Sequence, residues 1–261
     1  MNRAILVTGG TGTLGRHVVG RLRDAGHDVR VASRGAPPVG TTSAPAWATV
    51  DYRAGAGLDA AIAAIEVIVH CARSWRGEVD RALIAAARSA GTPHLVYISI
   101  VGVDQVPYSY YRTKLAAEGA LARSGPPWSV LRTTQFHDLV ATATAWLSRL
   151  PVTVVPAVTS FQPIDVREVA DRLAELATGS PAGRAPDMGG PQVRGAGDLA
   201  RSYLRATGKR RPVLPIRLPG AAAAGFRRGG HLAPQRRVGR ISFEQFLADR
   251  VACPRPQEDQ A

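Results

Sequence analysis

The sequence predicts an α/β fold with a doubly wound parallel sheet, on the basis of two observations. Short apolar runs alternate with segments of helical periodicity over the first two thirds of the chain, and this alternation is typical of parallel sheets covered by helices. The first unit is the clearest. Residues 3–8 form an apolar run that ends in glycines, and apolar residues then recur at helical spacing, namely Leu14, Val18, Val19 and Leu22.

The remaining elements follow in a regular order. We expect further strands, each a short apolar or alternating run, at residues 28–33, 47–50, 67–70, 94–99, 128–132 and 152–155. Helical periodicity predicts helices between and after them, at residues 57–65, 78–90, 110–124, 136–149 and 166–177. The Gly- and Pro-rich stretch 180–197 is interpreted as a loop, which a helix at 198–207 and irregular basic segments follow.

The chain is strongly basic, with 33 Lys and Arg residues against 20 Asp and Glu residues. Thirteen of the basic residues lie between 194 and 250, where three acidic residues occur. We interpret this region as an arginine-rich solvated surface, with an acidic partner or a phosphate-bearing ligand as the alternative. Because no aromatic-interleaved or helix-turn-helix pattern accompanies the charge, we expect no nucleic-acid partner.

The sequence also argues against several classes of protein. No stretch reaches the roughly 18 apolar residues that a membrane helix needs, and Met1 leads directly into an apolar strand with no visible export signal. We therefore expect a cytoplasmic protein without membrane contact. Cys71 and Cys253 lie far apart and have no His or Cys neighbours at metal-ligand spacing, so neither a disulfide nor a metal site is indicated.

The segment after the first strand contains two overlapping glycine motifs, G-x-G-x-x-G and G-x-x-G-x-x-G. A glycine is needed where the strand turns, where a side chain would strike a pyrophosphate, and where the helix packs close to the strand. The following helix offers free N–H groups and the positive end of its dipole to phosphates. This context predicts a Rossmann-type dinucleotide-binding loop formed by Gly9, Gly10, Thr11, Gly12, Thr13, Leu14 and Gly15.

The end of the second strand bears on which dinucleotide is bound. NAD-specific proteins usually place an acid there for the ribose 2′-hydroxyl, whereas this chain has Ser33 and Arg34. A guanidinium pairs well with a 2′-phosphate, so we expect NADP(H) rather than NAD(H), unless Arg34 is one more surface arginine. Asp51 is either a contact of the adenine amino group or a plain loop aspartate, and we expect Ala72 and Arg73 beside the adenosine ribose.

A Tyr-x-x-x-Lys pair, Tyr110 and Lys114, lies at the start of a predicted helix. Residues four apart share one face of a helix. An ammonium one turn away stabilises the phenolate of a tyrosine, which alone is a poor acid or base near neutral pH, and it also reaches the nicotinamide ribose. Taken by itself, the pair could be the start of an amphipathic helix with a surface lysine. Because the pair follows a dinucleotide-binding loop, we favour a catalytic role.

Together these motifs resemble the short-chain dehydrogenase/reductase superfamily, and more closely its atypical, NmrA-like branch. The segments 94–103, 131–137 and 161–166 also match that branch. The resemblance covers nearly the whole chain and implies the fold, NAD(P)H binding and, as in many relatives, reduction of quinones or other carbonyls. Some relatives instead sense the dinucleotide and regulate transcription.

The resemblance implies three further site residues. The superfamily places a hydroxyl after the fifth strand, where this chain has Ser99, followed by Ile100 rather than by a run of serines. Thr133 and Phe136 are implied at the nicotinamide end. His137 beside them is interpreted as a surface residue at a helix N-terminus, with a substrate contact as the alternative. The connection from Ser99 to Tyr110 is short for the superfamily, so Tyr111 is kept as an alternative to Tyr110.

We therefore predict an NAD(P)H-dependent oxidoreductase of a small-molecule substrate. In it, Tyr110 and Lys114 are catalytic with Ser99, and Lys114 also binds the cofactor. The expected domains are a dinucleotide-binding domain at 1–180 and, within the same structural domain, a small irregular C-terminal extension at 181–261 that covers the substrate side of the cleft.

A non-catalytic NADP sensor that uses the basic tail to bind a protein partner is the alternative. An epimerase or dehydratase is a third option, against which Arg34 argues. The oligomeric state is left open, with a homodimer as one candidate.

Overall fold

The computed structural model describes residues 2–37, 45–91 and 93–252. Cys253 lies outside them. The described chain forms two compact units. Unit 1 comprises the residues up to Thr133 together with Val166–Asp187, and unit 2 comprises Thr134–Asp165 and the residues from Met188 onward. These units do not test the predicted domain boundary, which stays a prediction. No helix among the described residues combines the length and the apolar composition that a membrane span requires.

Unit 1 is built on a parallel sheet, as predicted. Its strands are β1 (Ala4–Thr8), β2 (Asp28–Ser33), β3 (Ala46–Thr49), β4 (Val67–His70), β5 (His94–Ile100), β6 (Trp128–Thr133) and β9 (Gly183–Arg184). Within the described residues these seven strands lie in the order β3-β2-β1-β4-β5-β6-β9, and every neighbouring pair is parallel. The order reverses direction at β1, between β2 and β4. In sheets of this kind ligands bind at the carboxyl ends of the strands beside such a switch point.

Helices cover both faces of this sheet, and their bounds are α1 (Gly15–Asp24), α2 (Leu58–Ile62), α3 (Glu78–Ser89), α4 (Ser109–Ala122) and α6 (Val166–Thr178). Side chains alternate between the two faces of a strand. Leu6, Ile68 and Tyr97 therefore share one face, where they pack with Leu83 of α3 and Leu121 of α4. The helices α1 and α6 pack on each other and on the strands β1, β2, β4, β5 and β6. The strands β1, β4, β5 and β6 have no exposed side chain, because both of their faces are covered.

Unit 2 contains the helices α5 (His137–Leu147), α7 (Ala196–Ala206), α8 (Ala221–Arg227) and α9 (Phe243–Ala252). Its strands β7 (Thr153–Pro156) and β11 (Val213–Ile216) pair in parallel, and β8 (Ser160–Phe161) and β10 (Arg194–Gly195) pair antiparallel. The core lies where α7 packs against α5 and α9, and it is formed by Ala141, Leu199, Phe243, Phe246 and Leu247.

The predicted irregular C-terminal segments are wrong in part. The structure adds β11, α8 and α9 beyond residue 207, and it adds β9 and β10 within the predicted loop 180–197. Strands of two residues are too short to show the alternation of side chains that is typical of a strand. Pro215 lies inside β11 and interrupts its apolar run, so the sequence does not indicate this strand. The helix α9 did leave a signal, because Phe243, Phe246 and Leu247 recur at helical spacing and all three are buried.

Candidate functional site

The glycine loop lies between β1 and α1, as predicted, and its glycines are needed for two different reasons. Gly9 has a φ of +66°, and a Cβ there would lie 2.8 Å from the backbone of Ala72. A Cβ on Gly15 would overlap the carbonyl group of Gly9, because α1 begins directly beside the strand end. The turn and the close helix–strand approach that the motif predicts are therefore both present.

The outer part of the loop is open to solvent. Thr11, Gly12 and Thr13 are exposed, whereas Gly10, Leu14 and Gly15 are buried. The amide of Gly12 closes the turn by donating to the carbonyl of Gly9 (2.9 Å). The N–H groups of Thr11, Thr13 and Leu14 donate no hydrogen bond within the described part of the chain. Free amides at the start of a helix, two of them on exposed residues, fit a phosphate group, so the loop suits a pyrophosphate.

The residues predicted for the ribose and adenine lie at the carboxyl ends of β2, β3 and β4. Ser33 ends β2 and is half-buried, whereas the guanidinium of Arg34 is exposed and, among the described residues, has no acidic partner. Asp51 accepts the amides of Arg53 (2.8 Å) and Ala54 (3.2 Å), and these hydrogen bonds lower its pKa. Asp51 thus has a turn-forming role at least, and its contact with adenine stays a prediction.

Ala72 and Arg73 follow β4 and adjoin the loop. The amide of Ala72 donates to Oγ1 of Thr8, the last residue of β1 (3.4 Å). The exposed guanidinium of Arg73 lies 5.8 Å from the ring centroid of Trp75. The backbone amide of Ala72 is therefore held by Thr8, next to Gly9. Arg73 is turned toward an exposed aromatic side chain.

Tyr110 is the second residue of α4 and is partly accessible. Its ring packs on that of Trp75, with centroids 4.7 Å apart, and its hydroxyl has no hydrogen bond within the described residues. Burial raises the pKa of Tyr110, and the charge of Arg73 opposes that rise, so the phenol is protonated near neutral pH. Tyr111 is buried, and its ring packs against Tyr108. The accessible tyrosine of the pair is therefore Tyr110.

Lys114 lies one turn after Tyr110 but in very different surroundings. Its side chain is buried (4% exposed), and Nζ donates to the carbonyl oxygen of Ile98 on β5 (3.1 Å). The ammonium lies 4.4 Å from the centroid of the Tyr97 ring. Burial lowers the pKa of Lys114, and the charge of Asp80 opposes that change. One N–H is used by Ile98, which leaves two donors for a ligand.

A buried polar network, formed by Thr8, His70, Asp80, Tyr97 and Lys114, lies beneath the loop. The hydroxyl of Thr8 lies 2.6 Å from Nδ1 of His70, and Nε2 of His70 lies 3.3 Å from Oδ1 of Asp80. The hydroxyl of Tyr97 donates to the same oxygen of Asp80 (2.6 Å). The sequence analysis missed His70, Asp80 and Tyr97. Their signal was a histidine and a tyrosine within apolar strand runs, where buried polar groups require partners.

Ser99 and Thr133 lie at the carboxyl ends of two neighbouring strands, Ser99 one residue before the end of β5 and Thr133 at the end of β6. Ser99 is 2% exposed, and its Oγ has no hydrogen-bond partner among the described residues. It lies two residues after Tyr97 and hence on the same face of β5. Thr133 is buried at the end of β6, and its carbonyl accepts the amide of Val101 (3.0 Å). An orphaned hydroxyl at a strand end is suited to a ligand, and the roles of both residues stay predictions.

Phe136 and His137 belong to unit 2. Phe136 precedes α5, is half-buried and pairs with Ile164 through a short bridge. The interpretation of His137 as a surface residue is wrong, because it is 1% exposed and its ring packs against Phe243 and Phe246. Its Nε2 lies 3.0 Å from the carbonyl oxygen of Ile241. His137 is thus a core residue of unit 2, which its position at a helix start did not indicate.

Comparison with known proteins gives a family and two named reductases. The model of a protein family described as NAD(P)H-binding matches residues 9–177. The chain is 31% identical over 214 residues to (4-alkanoyl-5-oxo-2,5-dihydrofuran-3-yl)methyl phosphate reductase of Streptomyces griseus, covering 78% of this chain and 74% of that protein. It is also 31% identical over 160 residues to the chloroplastic divinyl chlorophyllide a 8-vinyl-reductase of Oryza sativa, covering 51% of this chain and 40% of that protein.

Solved structures share the fold at lower identity. The NADPH-dependent quinone oxidoreductase of Escherichia coli, in complex with NADPH, matches with a TM-score of 0.79 and 18% identity over 94% of this chain and 99% of that one. The UDP-glucose 4-epimerase of Thermus thermophilus, in complex with NAD, matches with a TM-score of 0.73 and 19% identity over 97% of this chain and 100% of that one. At these identities the matches show that the fold is shared by reductases and epimerases.

Proposed function

Because the chain belongs to the NAD(P)H-binding family, we propose that it is an NADP(H)-dependent reductase of a quinone or another carbonyl-type small molecule. The observation that carries this proposal is the position of Lys114. Its buried ammonium is bonded to Ile98 of β5, and two of its three N–H donors are not used by that bond. The glycine loop follows the carboxyl end of β1, the strand at the switch point of the sheet. Burying a charge costs free energy. A buried ammonium near the carboxyl ends of the strands is therefore not expected in a protein that binds no ligand there.

The proposed roles follow from the position of each residue. The free amides of the loop bind the pyrophosphate, Arg34 pairs with the 2′-phosphate, and Lys114 holds the nicotinamide ribose. NADPH supplies the hydride when it is bound. Tyr110, whose raised pKa keeps its hydroxyl protonated, donates the accompanying proton, and Ser99 offers a hydroxyl to the substrate oxygen. Ser33, Asp51, Ala72 and Arg73 line the adenosine side, and Thr133 and Phe136 line the nicotinamide end.

The positive charge of the C-terminal part of the chain favours one class of acceptor. Residues 199–243 contain eleven Lys and Arg residues and no Asp or Glu. A region of one sign attracts ligands of the opposite sign, so we expect an anionic acceptor to react faster than its neutral analogue. The named substrate of the Streptomyces griseus relative carries both a ring carbonyl and a phosphate, which is consistent with this expectation.

NADPH oxidation with a panel of acceptors tests the proposal. The panel contains quinones and α,β-unsaturated carbonyl compounds, each as a neutral molecule and as its phosphate or carboxylate analogue. We expect turnover with NADPH, slower turnover with NADH, and faster turnover of the anionic member of a pair. Tight NADPH binding without turnover of any acceptor would contradict the reductase.

The second candidate is an NADP-sensing regulatory protein of the NmrA type that binds a protein partner. It is favoured by one observation, that Ser99 is followed by Ile100 and Val101 rather than by further serines. It predicts a protein complex whose affinity changes with the NADP+/NADPH ratio. Membership of the NmrA-like branch, the cytoplasmic location and a homodimer stay predictions.

A further inference from the structure

The buried polar network contains two charges that face each other across Tyr97. Asp80 lies in the first turn of α3 and is 1% exposed, and Lys114 lies on α4. Tyr97 contacts both, because its hydroxyl donates to Asp80 (2.6 Å) while its ring lies 4.4 Å from Nζ of Lys114. The proposed catalytic pair, Tyr110 with Lys114, makes no use of Asp80.

Three groups that can carry negative charge act on the Lys114 ammonium from the elements packed around it, namely Asp80 on α3, Cys71 after β4 and Glu118 on α4. Glu118 is already paired, because Arg132 donates to both of its carboxylate oxygens (2.7–3.2 Å). Burial raises the pKa of the Cys71 thiol to about 12, so the thiol is neutral near pH 7. Asp80 is therefore the remaining counter-charge for Lys114 among the described residues.

The hydrogen bonds around Asp80 are all consistent with an ionised carboxylate. Oγ1 of Thr8 accepts the amide of Ala72 and lies 2.6 Å from Nδ1 of His70, and the other ring nitrogen of His70 lies on the side of Asp80. The hydroxyl of Tyr97 donates to Oδ1 of Asp80 (2.6 Å), and Nε2 of His70 lies 3.3 Å from the same oxygen. Burial by itself raises the pKa of Asp80, but the hydrogen bond and charge of His70 and the charge of Lys114 outweigh it and lower the pKa.

We propose that Asp80 is a positioning residue that, held by Tyr97 and His70, keeps Lys114 in the ammonium form and fixed over the Tyr97 ring. The first half of this proposal concerns the protein alone. The second half, that the fixed ammonium is thereby ready to bind the nicotinamide ribose, rests on the proposed function. An opposite charge in a buried site favours the charged form of its partner, and removing one member of such a pair leaves the other charge uncompensated.

The small number of lysines makes a direct test practical. The chain has two, Lys114 and Lys209, so protein labelled with ¹³C-lysine gives two Cε resonances whose titration follows each ammonium in the cofactor-free protein. Lys209, whose Nζ donates to Ser148 (3.1 Å), is an internal reference. The variant Lys114→Arg assigns the resonances, because it removes one of them.

We expect Asp80→Asn to lower the titration midpoint of Lys114 by about one pH unit or more and to leave Lys209 unchanged. The control Asp104→Asn removes one carboxylate from the same unit, at the partly exposed pair with Arg132, and is expected to leave Lys114 unchanged. Tyr97→Phe keeps the ring and removes the hydroxyl, so a smaller shift in the same direction is expected. It serves as the test if Asp80→Asn does not fold. Unchanged midpoints of Lys114 in these variants would overturn the proposal.

The same variants separate this proposal from the proposed function. The lysine titration uses neither cofactor nor turnover, so its result stands even if the chain reduces nothing. The affinity for NADPH, measured from about pH 7 to pH 10, then tests the second half. We expect the affinity of Asp80→Asn to fall at a lower pH than that of the wild type, by the shift that the Lys114 resonance shows. Superimposable pH profiles would overturn the ribose role while leaving the charge pairing in place.

Discussion

Tyr110 and Lys114 lie one helical turn apart, yet only the lysine is buried. Lys114 is held by Ile98 and Tyr97, whereas Tyr110 packs on the exposed Trp75 and its hydroxyl has no hydrogen bond within the described residues. This arrangement suits a division of roles, in which the lysine is fixed by the protein and the tyrosine hydroxyl is left free for a substrate. The consequences can be tested one residue at a time.

Tyr110→Phe is expected to lower turnover by about 100-fold or more, because a positioned proton donor contributes about 10²–10⁴-fold. NADPH affinity should change little, since the proposed cofactor contacts lie elsewhere. Steady-state kinetics and a binding titration on the same preparation measure both quantities. Tyr111→Phe is the matched control, because that residue is buried. Turnover that survives in Tyr110→Phe would remove Tyr110 from the proposed mechanism.

Arg34→Ala is expected to weaken NADPH binding about 10- to 150-fold and to leave NADH binding almost unchanged. The range corresponds to about 1.5–3 kcal/mol for hydrogen bonds to a charged group. Only NADPH carries the 2′-phosphate, so the difference between the two dinucleotides isolates this contact. Arg88→Ala, which removes an exposed arginine from α3, controls for the change in net charge. An equal loss of affinity for NADPH and NADH would show that Arg34 does not bind the 2′-phosphate.

At the scale of elements, the site depends on how closely β1, the glycine loop and α1 approach one another. The loop has no room for a Cβ at Gly15, whereas Gly20, five residues further along α1, has no atom within 4 Å of the position where its Cβ would lie. The two glycines of one helix therefore differ in function. One permits the approach of helix and strand, and the other is a helical residue without a packing role.

Gly15→Ala is expected to destabilise the fold by about 2 kcal/mol or more, because overpacking at this contact forces the backbone to move, and to abolish NADPH binding. Gly20→Ala is expected to stabilise the fold by about 0.5–1 kcal/mol through the gain in helix propensity, with binding intact. Urea unfolding and a binding titration compare the two variants. Similar unfolding free energies for both would contradict the close approach.

The sequence predicted those elements whose residues show a local period. The strands β1, β2, β4, β5 and β6, the helices between them and the loop were predicted to within a few residues, because buried parallel strands are continuous apolar runs. The two-residue strands and β11 were not predicted, since their pairing is decided by partners distant in the chain. His137 was misplaced for the same reason, because its burial depends on α9, more than a hundred residues later.

At the scale of the whole molecule, several carboxylates contribute stability that depends on pH. Burial raises the pKa of Asp80, Asp104 and Glu244, but hydrogen bonds and charges from His70, Arg132 and Arg194 respectively outweigh it, so each pKa is lowered. A lowered folded-state pKa means that the unfolded chain binds protons first as pH falls. The stability from these groups is therefore complete above their unfolded values, near pH 4, and is lost below them.

We expect the urea midpoint of the wild type to begin to fall below about pH 6.5, because burial lowers the pKa of His94 and His231 and the unfolded chain binds these protons first. It should fall further below about pH 4, where the carboxylates are protonated. Asp80→Asn should have a lower midpoint at neutral pH and a shallower fall in acid, so that the two curves converge. Asp28→Asn, at an exposed aspartate, is the control. Curves for wild type and Asp80→Asn that stay parallel at every pH would show that the Asp80 charge does not contribute.

The buried polar network marks the limit of prediction from sequence at this scale. Its members come from β1, β4, α3, β5 and α4, and no local pattern connects a histidine that ends one strand to an aspartate in the next helix. The sequence did predict the two motifs that the network links, the glycine loop and the Tyr110–Lys114 pair. What joins them is a set of side-chain contacts that exist only once the sheet has formed.

A calorimetric titration of the protein with NADPH and, in parallel, with NADH determines whether the chain binds a dinucleotide and which one it prefers. We expect one NADPH site, with NADH bound more weakly by about 10-fold or more because it lacks the 2′-phosphate that Arg34 would pair with. Failure to bind either dinucleotide would contradict the assignment of the loop and of Lys114 as a cofactor site, and tighter binding of NADH would contradict the role of Arg34.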